Sequence, residues 1–328
     1  MADPHPIPQV TAQLPVLQAT ALGHLLIDPA QHPRGQAHVS AASGLVRVRQ
    51  RLYVVADDEM HVGVFDDPIG AGTGLAPGTL LRVLPGDLPL DKGKRKKVKP
   101  DLESLTALPR LPGCPAGALL ALGSGSRPER ETAVLLVLND QGIPNGRLAL
   151  LDLAALYAPL RARFADLNIE GALVVSGELL LLQRGNQGDA RNACIRYDWN
   201  QMAPWLAGLQ TLPPPAKAVQ LLDLGCVAGV PLGLTDGTAL GGGVWAFCAV
   251  AESTHNSYQD GACVASTIGT VGPDGVVQRL QLLQGAPKVE GIAAVARGPD
   301  WVLSLVTDPD DPAVASQLLQ VCLTQVHK

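Results

Sequence analysis

Five short phrases in this chain set an acidic or small polar residue beside glycine or serine and then open an apolar run. They read Ser43-Gly44-Leu45-Val46, Glu103-Ser104-Leu105, Glu170-Gly171-Ala172-Leu173, Asp236-Gly237-Thr238-Ala239 and Glu290-Gly291-Ile292-Ala293. A second set of polar residues, Asp57, Ser124, Arg184, Glu252 and Asp308, closes the apolar run that follows each phrase. If the four acids of the first set meet at separations of roughly 7 Å, each pair repels by about 2 kcal/mol at an effective dielectric near 20. A bound cation, shared protons or neighbouring Arg and Lys must then relieve the repulsion. Oxygen donors with little His or Cys favour a hard ion, so Glu103, Glu170, Asp236 and Glu290 are expected to hold a divalent cation, Ca²⁺ rather than zinc. A water-filled acidic channel with partly protonated carboxyl groups is the competing expectation.

Catalytic duty falls on Arg184, Glu252, His255 and Asp308 if the two sets share a rim. Arg184 together with Arg127 and Lys99 could grip a small anionic group, and neutralisation of the acids is the plainer role for the same arginine. His38 and His255 are the candidate general bases, with Lys97, Asn256 and Asp260 close by in sequence. The chemistry so assembled is metal-assisted hydrolysis of a small anionic ester or lactone. The alternative is a non-catalytic ligand-binding or scaffold protein with a structural ion. A glycosidase built on two of the carboxylates fits less well, because aromatic residues make up only 3% of the chain and sugar faces stack on Trp or Tyr.

The phrases recur at spacings of 60, 67, 66 and 54 residues, which is one four-stranded sheet each time. The apolar runs are short and bounded by Gly, Pro, Asp and Asn, as strands should be. The pattern predicts an all-β, five-bladed β-propeller spanning residues 1–328 as one domain, with its first strands lining the axis. Adjacent antiparallel strands put the start of the first and the end of the second at the same rim, so both polar sets gather at one mouth of the channel. The fifth repeat is one strand short, and Leu14 to Thr20 is the expected donor, closing the ring and removing an exposed edge. Helices are expected only near Ala154 to Phe164 and Trp199 to Leu209, and the basic run Lys92 to Lys99 is read as a solvated loop.

Composition excludes several partners. A net charge of −5 supplies no field for nucleic acid, and the single basic run is too isolated to form a stripe. No apolar run reaches membrane length, and the first ten residues lack the basic and apolar pattern of an export signal, so a cytoplasmic location is expected. The six cysteines show no zinc spacing and are expected to stay reduced, with Cys248 and Cys263 packed as a pair on neighbouring strands. The glycine-rich run Gly70 to Gly74 opens no helix, and no nucleotide-binding or nucleophile-elbow motif is present.

The phrases Asp101-Leu102-Glu103-Ser104-Leu105, Asn168-Ile169-Glu170-Gly171 and Lys288-Val289-Glu290-Gly291-Ile292 are similar to the repeated acid-glycine phrases of phytase-like esterase propellers. The stretch from Ala249 to Glu252 and on through Tyr258 to Gly261 resembles an uncharacterised bacterial propeller family, a domain of unknown function. The likeness covers most of the chain from about Ser40. It implies the propeller fold and an esterase or phosphoesterase activity, with Ser43 departing from the acidic pattern in the first repeat.

Overall fold

A computed structural model describes residues 14–69, 74–253 and 262–324. Each repeat folds into an antiparallel four-stranded sheet because its apolar runs are β-branched or leucine-rich and are cut to strand length by Gly and Asp turns. Blade one comprises Ala42–Val48, Arg51–Ala56, His61–Asp66 and Thr79–Arg82. Blade two comprises Leu102–Leu108, Ala118–Gly123, Thr132–Leu138 and Pro144–Asp152. Blade three comprises Ile169–Val175, Glu178–Gln183, Asn192–Asp198 and Ala218–Leu222. Blade four comprises Gly233–Gly241, Val244–Ser253, Ala262–Val271 and Val277–Leu283. Blade five takes Val289–Arg297, Asp300–Thr307 and Gln317–Leu323 from the C-terminal end and Thr20–His24 from the N-terminal end.

The first strands of the five blades neighbour one another in a closed ring about the axis. Five apolar clusters fill the five spaces between adjacent blades, each built from side chains of both neighbours. The core is thus distributed around the ring, and the axis is left to the start of the innermost strands.

The closing strand lies a few residues beyond the expected segment. Thr20–His24 pairs antiparallel with the third strand of blade five, Thr20 opposite Gln320 and His24 opposite Gln317. Val16–Leu17, inside the expected segment, instead adds a short parallel strand to the outer edge of blade four, opposite Leu282 and Leu283. The N-terminal segment therefore stitches two blades.

Three α-helices occur among the described residues. Ala154–Arg161 and Trp199–Leu206 stand where the sequence predicts them and bury Leu156, Tyr157, Leu160, Met202 and Trp205 over the space between blades two and three. The basic run, expected to be a loop, is a helix, Lys92–Val98, here called α1. Asp91 caps it by accepting from the Lys94 amide at 2.8 Å, and the straight-chain Lys and Arg residues are good helix formers. Arg95 is buried beneath it, bonded to the carbonyls of Pro89 and Leu90 at 3.2 Å each and 3.3 Å from Asp58.

The cysteine pair does not form. Cys248 lies opposite Ile268, and Cys263 lies opposite Glu252, because the two fall at different heights on adjacent strands. No disulfide occurs among the described residues, and no helix among them is long and apolar enough to cross a membrane.

Candidate functional site

Every innermost strand carries a one-residue bulge at its start. The bulged residues are Ser43, Glu103, Glu170, Thr235 and Glu290, each lying between two residues that stay in register with the second strand. A bulge re-aims its side chain out of the pleat. Ser43, Glu103, Glu170 and Glu290 all line one cavity of about 630 Å³ at the channel mouth. In blades one, three and five a glycine follows the bulge and permits the strands to crowd at the axis. A Cβ at Gly44 would lie 2.7 Å from the Leu105 amide nitrogen, and one at Gly291 would lie 2.8 Å from that of Leu45.

Blade four departs from the pattern, and Asp236 does not stand with the other acids. Its register places Thr235 at the bulge and Asp236 where the other blades have Gly44, Ser104, Gly171 and Gly291. Asp236 is fully buried and accepts from the amides of Gly237 at 2.8 Å and Ile292 at 3.0 Å, with a further bond from Leu45. Burial holds its carboxyl well above the usual range against those amide bonds. It ties blade four to blades five and one at the axis and is absent from the cavity wall. Thr235 turns its hydroxyl to the Val289 carbonyl at 2.9 Å.

The second polar set lies at the same mouth. The amides of Asp57, Ser124, Arg184 and Asp308 donate to the carbonyls of Ala41, Asp101, Asn168 and Lys288, just ahead of the first strands. Glu252 lies two residues beyond the equivalent point, since Val250 pairs with Gly233, and it lines the cavity with Asp57, Arg184 and Asp308, whereas Ser124 is buried behind the lining. His255, Asn256 and Asp260 lie outside the described residues. His38 sits away from the cavity lining, its ring Nε2 3.1 Å from the Pro312 carbonyl. Arg127 and Lys97 are likewise not among the lining residues.

Two charged clusters share the mouth. In the first, Lys99 Nζ pairs with Asp57 and, at 2.8 Å, with Asp101, which also meets Arg130 at 2.8 Å and the Ser124 hydroxyl at 2.5 Å. One carboxylate oxygen from each of Asp57, Asp101 and Glu103 lies within 4.8 Å of the others, so these three have the spacing to share a cation, and the Lys99 ammonium already pairs with two of them. Burial would lower Lys99, yet the carboxylates around it hold it well above its ordinary value. Burial would raise Asp101, yet Lys99 and Arg130 hold it below its own. For Glu103 the pull of Lys99 is outweighed: burial and the neighbouring Glu170 push it well above the carboxylate range.

In the second cluster, Arg184 pairs with Glu252 and reaches Glu170 at 3.5 Å and Glu290 at 3.7 Å. Lys288 Nζ stands among Asp310 at 2.6 Å, Glu252 at 3.0 Å, and Glu290 and Asp308 at 3.5 Å each. Glu290 is 5% exposed, and neither of its carboxylate oxygens accepts a hydrogen bond from any described residue. Burial pushes it up to about 8 although both cations pull the other way, and burial pushes Asp308 up to about 7.

Over the whole lining, eleven carboxylates face seven cationic side chains among the described residues, an excess of four, and no aromatic side chain is present there. Arg and Lys thus relieve part of the repulsion anticipated from the sequence. Lys288, Lys99, Asp101 and Arg130 were not singled out as a network from the sequence. Their signal was proximity to the repeated acids, Lys99 and Asp101 standing just ahead of Glu103 and Lys288 just ahead of Glu290.

The fold and the site together define a five-bladed β-propeller with an acid-lined channel mouth. Within that class, the chain belongs to the family of unknown function DUF6929, whose model matches residues 38–323. No curated protein matches significantly. Among solved structures, the chain is similar to a glutaminyl cyclase of Myxococcus xanthus, at 10% identity and TM-score 0.45, covering 96% of this chain and all of that one. It is also similar to a glycoside hydrolase family 43 arabinoxylan arabinofuranohydrolase of Bacillus subtilis, at 11% identity and TM-score 0.45, covering 94% and 67% of the two chains. A putative phosphatase of Bacteroides thetaiotaomicron matches at 11% identity and TM-score 0.44, covering 93% and 79%.

Proposed function

We propose that this propeller is a ligand-binding protein whose channel mouth takes up a small, positively charged ligand. The observation that carries the reading is Glu290, a nearly buried carboxyl group that faces the cavity with both oxygens lacking a hydrogen bond, inside a lining with four more carboxyl groups than cationic side chains among the described residues. Buried acceptors of this kind gain a donor or a cation on binding. The Arg184 guanidinium fits the neutralising role, because an approaching anion would first meet Glu170, Glu252 and Glu290. A divalent ion such as Ca²⁺ is one ligand of the required sign, with Asp57, Asp101 and Glu103 the group best spaced to share it.

A second reading, an esterase-like hydrolase in the manner of the phytase-like propellers, draws support from one observation. Glu290 and Asp308 titrate near neutrality, where a general acid or base is most effective. The glycosidase variant of that reading gains nothing from the mouth, which offers no aromatic platform among its described residues.

Thermal melting at low ionic strength, against a panel of inorganic and organic cations and matched anions, tests the principal reading. At least one cation is expected to raise the melting temperature of the wild type by its mass-action term and to lose most of that effect in Glu290→Gln. Stabilisation by anions alone would overturn it.

A further inference from the structure

The two clusters differ in how their carboxylates are served, and the difference identifies the chemistry that Glu290 is left to recognise. Lys288 is drawn to Asp310 and Glu252, and Arg184 is drawn to Glu252, so both cations stand 3.5 to 3.7 Å from Glu290 and neither donates a hydrogen bond to it. Its two oxygens are therefore electrostatically accompanied and still without a donor.

A metal ion would be a poor guest at this point. Ca²⁺ takes roughly six to eight oxygen ligands, and the carboxylates nearest Glu290 are already engaged, Glu252 by Arg184 and Lys288 and Asp310 by Lys288. A protonated amine or guanidinium carries a single charge and brings the N–H donors that the carboxylate lacks. The chain itself offers the precedent in the same mouth, where the Lys99 ammonium pairs with Asp57 and Asp101, two of the three carboxylates best spaced for a metal. The cavity, about 630 Å³, has the size of a small-molecule pocket and far exceeds a bare ion. A quaternary ammonium is excluded by the same lining, since such ions are held by aromatic cages and none of the described lining residues is aromatic.

We propose that Glu290 anchors the protonated primary amine or guanidinium group of a small organic ligand, with Glu170 and Glu252 flanking it. The proposal rests on the mouth being a cation site and names the class of cation. Because burial holds the Glu290 proton up to about 8, an ammonium that pairs with the carboxylate near pH 7 displaces that proton to solvent.

Calorimetry on the full chain decides it, using n-butylamine, butylguanidine, tetramethylammonium and CaCl₂ as separate probes in cacodylate and in MOPS at pH 7, two buffers that differ in protonation heat and contain no primary amine. The expected result is binding of the amine or the guanidine, with no binding of tetramethylammonium. Heats should differ between the two buffers by the release of up to one proton. Affinity should fall at least tenfold in Glu290→Gln and less than that in Glu290→Asp, which keeps the charge. Binding of Ca²⁺ with no response to either donor would overturn the ligand class while leaving the cation-binding reading intact. Silence from all four probes would sink both. Equal amine affinity in wild type and a folded Glu290→Gln protein would overturn the role of Glu290, and if that variant does not fold, an amine heat independent of buffer would do the same.

Discussion

At the scale of single residues, two opposed protonation effects set how this protein answers pH. Glu290 and Asp308 are raised in the fold, to about 8 and about 7, so the native state holds their protons after the unfolded chain has released its own. Their contribution to stability is complete below the ordinary carboxylate range and is lost as pH rises through 7 and 8. Glu59 runs the other way. Burial would raise it, but His32, His61 and Arg34 hold it down to about 2, so its contribution is present above the ordinary range and is lost as pH falls toward 2. Maximum stability is therefore expected near pH 4, in the ordinary carboxylate range and well below neutrality. A tenfold change in proton affinity is worth about 1.4 kcal/mol, so Glu290 alone carries on the order of a few kcal/mol between pH 5 and pH 8. Melting curves taken from pH 3 to pH 9 should show that maximum, and Glu290→Gln should flatten the decline toward pH 8 and melt higher there than wild type. A wild type that grows more stable from pH 5 to pH 8 would contradict the burial of these carboxyl groups.

At the scale of elements, the sequence was most informative where one pattern repeats. Five phrases of an acidic or small polar residue before Gly or Ser placed five innermost strands, and the polar closing residues placed the second strands at the same rim. The register of blade four was hidden, because Asp236-Gly237 reads like Glu170-Gly171 and yet the bulge falls on Thr235. A one-residue bulge leaves no trace in composition, and it moves a carboxylate from the mouth to a buried tie at the axis. Helix α1 was missed for a different reason: a run of like charges reads as solvated, and what fixes it is the Asp91 cap and the burial of Arg95 between Asp58 and two carbonyls, contacts made partly across the fold. The closing strand was legible as a need, since blade five lacked its fourth strand, but its register was set by pairing with Gln317–Leu323. Removing residues 1–19 should cost only the short parallel strand on blade four, a drop of a few degrees in melting temperature. Removing residues 1–24 should expose the edge of blade five and lower the melting temperature far more, with aggregation at the bared edge. Equal melting of the two truncations would contradict the closure.

At the scale of the whole molecule, the propeller is a device for bringing together charges that are remote in sequence. Asp57, Lys99, Arg184, Glu252 and Lys288 come from five different places in the chain and meet only because the ring closes, which is why no local motif announced their network. The same closure puts more carboxylates than cations into one cavity and leaves Glu290 without a donor. The central claim is that this mouth receives a positively charged ligand, and the most direct measurement is a high-resolution crystal structure of the protein grown with n-butylamine near pH 7. The account predicts an ammonium nitrogen about 3 Å from the Glu290 carboxylate inside the mouth. An amine bound elsewhere, or a mouth holding only water or an anion against Arg184 under those conditions, would contradict it.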